Sequence, residues 1–154
     1  MPIKSFQGPR SSSTRKVAKN ILVGDIMTKS LILFRPKQTI HEVMKAFIKY
    51  KVSGGPVVDK HGNLMGVISE GDCMKEISES RYFNMPILDK TVYHFMTKEV
   101  ETINVSTSIF DAASLFSRTS RRRFPVIDNK RLVGQVSRKD IVIAALNLKS
   151  QTWH

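Results

Sequence analysis

From Ile21 onward, apolar and polar positions alternate with changing period, and the changes mark out elements. Leu31-Ile32-Leu33-Phe34 and Val100-Glu101-Thr102-Ile103 are short β-favouring runs that predict strands, the first stopped by Pro36. Ile40, Val43, Met44, Phe47 and Ile48 then recur at three- and four-residue steps, as do Ile109, Ala112, Ala113 and Phe116. That spacing predicts helices that each bury one stripe, and Thr39 with Glu42 and Ser108 with Asp111 stand before them as capping boxes. Pro56-Val57-Val58 and Leu64 to Ile68 flank a glycine-containing turn, and Pro125-Val126-Ile127 and Leu132 to Val136 flank a shorter one, so both pairs predict hairpins. A last helix follows Ser69 and again Ser137. In the second case Ile141 to Leu146 is apolar nearly all the way round, which predicts a helix covered on every side.

The order strand, helix, strand, strand, helix thus occurs twice, and the residues themselves repeat. Val23-Gly24-Asp25-Ile26-Met27-Thr28-Lys29 matches Val92-Tyr93-His94-Phe95-Met96-Thr97-Lys98, and one constant offset carries Ile40 to Ile109, Phe47 to Phe116, Pro56 to Pro125 and Asp59 to Asp128. The second copy then loses one residue where Lys60-His61-Gly62-Asn63 shortens to Asn129-Lys130-Arg131, a turn that tolerates deletion. The reading is a basic tail over 1–20, a first domain over 21–80, a linker over 81–91, a second domain over 92–148 and a C-terminal tail over 149–154. A unit of this size buries too little surface to stand alone, so the fold class is α/β (α+β), two βαββα repeats packed as a pseudo-twofold pair with small sheets and flanking helices. Surplus apolar surface on the helices, above all 141–148, predicts a homodimer.

Composition narrows the class. The 154 residues are 41% hydrophobic, enough for a core. No apolar stretch approaches a membrane span and no secretory signal opens the chain, which predicts a cytoplasmic protein without membrane contact. The basic, serine-containing start resembles an organelle transit peptide but lacks a clear amphipathic helix, and a flexible solvated tail is the simpler reading. Cys73, the single cysteine, excludes an internal disulfide and stands among apolar residues as a core position. Met27, Met44, Met65 and Met96 occupy core positions for the same reason, and His41, His61, His94 and His154 have no metal-ligand spacing. The net charge of +12 suggests a polyanionic partner, but Lys4, Arg10, Arg15, Lys16 and Lys19 carry five of it in the tail. The rest concentrates in Arg121-Arg122-Arg123 and in Lys130, Arg131, Arg138 and Lys139. With no helix-turn-helix, zinc ligands or stacking platform, a nucleic-acid-binding basic scaffold is the weaker alternative. No nucleophile–base pair, catalytic carboxylate pair, Walker loop or metal set is present, so the chain reads as a non-enzyme.

The candidate chemistry lies at Gly66-Val67-Ile68-Ser69-Glu70-Gly71-Asp72 and its copy Gly134-Gln135-Val136-Ser137-Arg138-Lys139-Asp140. Serine followed three residues later by a carboxylate caps a helix, and a helix start presents free amides and the positive end of the macrodipole to an anion. A nearby aspartate can accept both hydroxyls of a ribose. Two such sites make a nucleotide sensor.

The ordered set Asp-Ile-Met-Thr at 25–28, His-Phe-Met-Thr at 94–97, Ser-Gly-Gly-Pro-Val-Val-Asp at 53–59, Arg-Arg-Phe-Pro-Val-Ile-Asp at 122–128 and both Gly-x-h-Ser-x-x-Asp ends resembles a stand-alone tandem pair of CBS (cystathionine beta-synthase) domains over residues 21 to about 148. The resemblance implies two pseudosymmetric clefts that take AMP, ADP, ATP, NAD or S-adenosylmethionine as a regulatory ligand, with no obligatory cofactor. It further implies pairing of two such chains into a flat disc and control of a target protein. It places Asp72 and Asp140 on ribose hydroxyls and Ser69 and Ser137 near ribose or phosphate. Thr28-Lys29 and Thr97-Lys98 would border the adenine, and Val57 and Val126 would give apolar contact to the base. Arg122, Arg123 and Arg138 are candidates for phosphate. Gln135 departs from the usual apolar residue, and Gly54-Gly55 stands where the second copy has Arg123-Phe124, so the two sites differ and the arginine-rich one suits a phosphorylated ligand.

Overall fold

In the computed structural model, the residues described are 21–82 and 90–152. The basic tail, most of the linker and the chain end read from the sequence lie outside them. In chain order the elements are α1 (Val23–Ile26), α2 (Ile40–Tyr50), β1 (Gly54–Val58), β2 (Leu64–Ser69), α3 (Glu70–Tyr82), α4 (Val92–Phe95), β3 (Ile103–Asn104), α5 (Ile109–Arg118), β4 (Arg123–Asp128), β5 (Arg131–Ser137) and α6 (Arg138–Thr152). Helix α3 runs two residues past position 80, and α6 continues beyond 148. Among the described residues no helix is long and apolar enough to cross a membrane.

The helix starts form where the capping boxes predict them. Thr39 Oγ1 accepts the Glu42 amide at 3.1 Å while the Thr39 amide donates to Glu42 Oε1 at 3.3 Å, and Ser108 Oγ accepts the Asp111 amide at 3.1 Å. Behind these caps, Ile40, Val43 and Phe47 face one core and Ile109, Ala112 and Phe116 face another. β1 and β2 form an antiparallel hairpin with a bulge at Val57/Val58. The second hairpin closes through Asn129 and Lys130, both in the left-handed region (φ 49° and 70°), the conformation that two-residue turns require.

Two expectations need correction. The leading strands shrink: Phe34 makes a single parallel bridge to Val57, and the other run leaves only Ile103–Asn104. Only one or two residues of each run reach a sheet partner, and Leu33 points to solvent, 43% exposed. Helix α6 is also not covered all round. Ile141, Ala144 and Leu148 are buried, whereas Val142, Ile143 and Leu146 are 56%, 49% and 62% exposed, so this chain covers one stripe and leaves the other open.

The chain contacts divide it into two compact units that do not coincide with the repeats. The first-repeat unit comprises Ser30–Glu101 and Ile127–Leu132; the second-repeat unit comprises Thr102–Val126, the chain from Val133 onward and the segment ending at Lys29. Each hairpin therefore receives the leading segment of the other repeat. In the second-repeat unit Thr28 bridges Gln135 of β5, with amide-to-carbonyl distances of 2.8 and 2.9 Å. In the first-repeat unit Thr97 bridges Val67 of β2 at 2.9 and 3.0 Å. The cores follow the same division. One gathers Phe34, Ile40, Val43, Phe47, Val57, Ile68 and Cys73; the other gathers Val23, Ile103, Ile109, Phe116, Phe124, Val126 and Ile141. Burial pushes the Cys73 thiol up to about 11, aided by the neighbouring carboxylate of Asp72, so this side chain is a neutral core filler through the physiological range.

Candidate functional site

The exchange of leading segments brings the sequence-predicted residues together, once in each unit. In the second-repeat unit β5 ends at Ser137 and α6 begins at Arg138. The Ser137 amide donates to Asp140 Oδ2 at 2.8 Å and the Asp140 amide donates to Ser137 Oγ at 3.1 Å, a reciprocal cap. Thr28 lies across from Gln135, two residues before that cap, and exposed Lys29 follows it. The Arg138 amide donates to the Arg122 carbonyl at 3.0 Å, which fixes the strand entering β4 beside the start of α6. Arg122, Arg123, Arg138 and Lys139 are all exposed there.

The first-repeat unit repeats this frame with other side chains. The Ser69 amide and hydroxyl donate to Asp72 Oδ2 at 2.9 and 3.0 Å, and the Asp72 amide donates to Ser69 Oγ at 3.4 Å. The Glu70 amide donates to the Ser53 carbonyl at 3.0 Å, matching the Arg138–Arg122 bond. Thr97 lies across from Val67, and Lys98 follows, its Nζ 4.1 Å from the centre of the Tyr93 ring.

The geometry refines the expected roles. Asp72 is only 6% exposed, so its carboxylate serves the cap first, while Asp140 is partly open and can face a ligand as well. Val57 and Val126 have no exposed surface and fill the two cores. The resemblance alone gives them apolar contact to the base, and their strands turn them inward. Burial also picks out a polar residue that the pattern did not. Glu76, 1% exposed on α3, accepts the Ser80 hydroxyl at 3.0 Å, and its spacing on a helix of low amphipathicity gave no sign of this.

Two surface grooves lie elsewhere. One of about 430 Å³ runs along α2 past His41, Met44 and Ile48. The other, about 390 Å³, is lined by Phe116, Ser117, Ile141 and Val142 of α5 and α6 and meets the site only through Arg138. Among the described residues no cluster of histidine, cysteine or carboxylate side chains could hold a metal ion.

Comparisons with known proteins fit this duplicated frame. The CBS domain family model matches residues 23–79 and again 92–147. An uncharacterized protein of Methanocaldococcus jannaschii is 30% identical to the chain, over 82% of the chain and 92% of its own length. Another from that organism is 35% identical over 80% of the chain, which spans only 39% of that longer protein. The crystal structure of CBSX2 from Arabidopsis thaliana in complex with AMP superimposes with a TM-score of 0.73 at 32% identity, covering 84% of this chain and 98% of that one. The CBS domain pair of protein MJ0100 in complex with 5′-methylthioadenosine and S-adenosyl-L-methionine gives a TM-score of 0.63 at 31% identity, over 82% and 96% of the two chains.

Proposed function

Because this chain belongs to the CBS domain family, we propose that it is a regulatory module that binds an adenosine-containing ligand and passes its occupancy to a target protein. The AMP complex of CBSX2 and the nucleoside complex of MJ0100 support the ligand class. The observation that carries the reading to particular residues is electrostatic. Arg138 and Lys139 occupy the first turn of α6, where the macrodipole is positive and cations are unfavourable by roughly 0.3–1 kcal/mol each. A phosphate removes that conflict. It would lie at the positive start of α6, with Arg122 and Arg123 on the adjoining strand entrance and the partly open Asp140 near the ribose. Thr28 and Lys29 would border the base. Signalling is then bounded by thermodynamics, since the ligand shifts the target's response only by its differential affinity for two states of the module.

Calorimetry with AMP tests the assignment. Asp140→Ala is expected to cost about 1 kcal/mol of stability as a lost cap, yet to weaken AMP binding at least tenfold. Equal affinity in variant and parent removes Asp140 from the site.

We also propose that the open face of α6 meets a second copy of the chain, for Val142, Ile143 and Leu146 form an apolar strip that solvent does not favour. Sedimentation should give a dimer for the parent and a monomer for Leu146→Asp. A parent that sediments as a monomer at high micromolar concentration sinks this assembly.

A further inference from the structure

The two sites share one backbone and carry opposite charge. The bond from the Glu70 amide to the Ser53 carbonyl and the bond from the Arg138 amide to the Arg122 carbonyl are both 3.0 Å, so position by position the frames correspond. Around the second-repeat cap stand Lys29, Arg122, Arg123, Arg138 and Lys139, against the single carboxylate of Asp140. The matching residues around the first-repeat cap are Lys98, Ser53, Gly54, Glu70 and Gly71, against Asp72. The one cation left, Lys98, lies over the Tyr93 ring, and the residue in Tyr93's place in the other copy is Gly24. Glu70, exposed at the first position of α3, puts a carboxylate where the other site has a guanidinium. It already satisfies the macrodipole there and repels an incoming phosphate.

Resting on the ligand class proposed above, we propose that the two sites are sorted by charge. The second-repeat site takes a phosphorylated adenosine. The first-repeat site takes an adenosine whose 5′ group carries no negative charge, and a cationic 5′ sulfonium fits it best because Glu70 faces that group. The two ligands then bind together, and each site reports a different chemical quantity.

Titration calorimetry on the full chain with AMP and S-adenosyl-L-methionine decides this. The parent is expected to bind one of each per chain, and saturating AMP should change the affinity for S-adenosyl-L-methionine by less than twofold. Arg138→Glu with Lys139→Gly copies the first-repeat charges and should weaken AMP at least tenfold while leaving S-adenosyl-L-methionine within twofold. Glu70→Arg with Gly71→Lys makes the opposite copy and should weaken S-adenosyl-L-methionine at least tenfold while admitting a second AMP. All four positions are exposed, and a Cβ on Gly71 meets only Ser69 Oγ at 3.6 Å, so folding is not at issue. Stoichiometric displacement of S-adenosyl-L-methionine by AMP, or two equal AMP sites in the parent, overturns the sorting and leaves the adenosine reading standing. Absence of binding by both ligands overturns the sorting together with the reading beneath it.

Discussion

Gly66→Ala is expected to lower the unfolding free energy by about 3 kcal/mol, the upper range for forcing atoms into a packed site. At this chain length that is a fall in Tm of roughly 6–12 °C. The cause is the leading segment of the second repeat, which lies so close to β2 that a Cβ on Gly66 would run into the Thr97 carbonyl oxygen, with Met96 Sδ 3.3 Å away. A backbone carbonyl held by the Val67–Thr97 bridge cannot swing aside as a side chain can. Gly134→Ala should cost less. Its Cβ would meet Met27 Sδ at 2.5 Å and the Thr28 carbonyl at 2.9 Å, and the flexible methionine can yield part of the space. Thermal denaturation of both variants checks the order; an unchanged Tm in Gly66→Ala would mean that the leading segment does not press against β2 in solution.

The motif glycine was legible in the sequence as part of a repeated string, but its reason was not. Sequence shows that Gly66 and Gly134 recur; only the fold shows that each is the landing place of a segment from the other repeat. The parts governed by local chemistry were readable, because a cap needs only a hydroxyl, a carboxylate and a spacing of three. Thr39/Glu42, Ser69/Asp72 and Ser137/Asp140 all close as written. Features decided by tertiary partners were misread. Leu31 to Phe34 has strand composition, yet only Phe34 finds a ladder partner. On α6, hydrophobicity identified the helix but could not say which face its own chain would cover.

The largest expected effect concerns how the two cores place an aromatic ring. Phe47 on α2 is met edge-on by Phe34 at 5.6 Å, and its counterpart Phe116 on α5 is met by Phe124 at 4.7 Å. These partners do not correspond in the repeat: Phe34 aligns with Ile103 and Phe124 aligns with Gly55. One unit takes its ring from the leading run and has glycine in the hairpin, and the other takes its ring from the hairpin and has isoleucine in the leading run. Phe34→Ala and Phe124→Ala, each removing a ring with at most 1% exposure, should cost about 3–5 kcal/mol. Gly55→Phe should also destabilise strongly, since its Cβ would lie 2.8 Å from both the Phe34 ring and the Ile32 carbonyl. Phe34→Ile removes the first conflict and copies the pairing of the other unit. The double variant is therefore expected to be more stable than the sum of the single losses allows, by about 1–3 kcal/mol of coupling, as measured by denaturant unfolding. Strict additivity would mean that the Ile32 carbonyl alone sets the space at Gly55, and that the exchanged rings are not a matched pair.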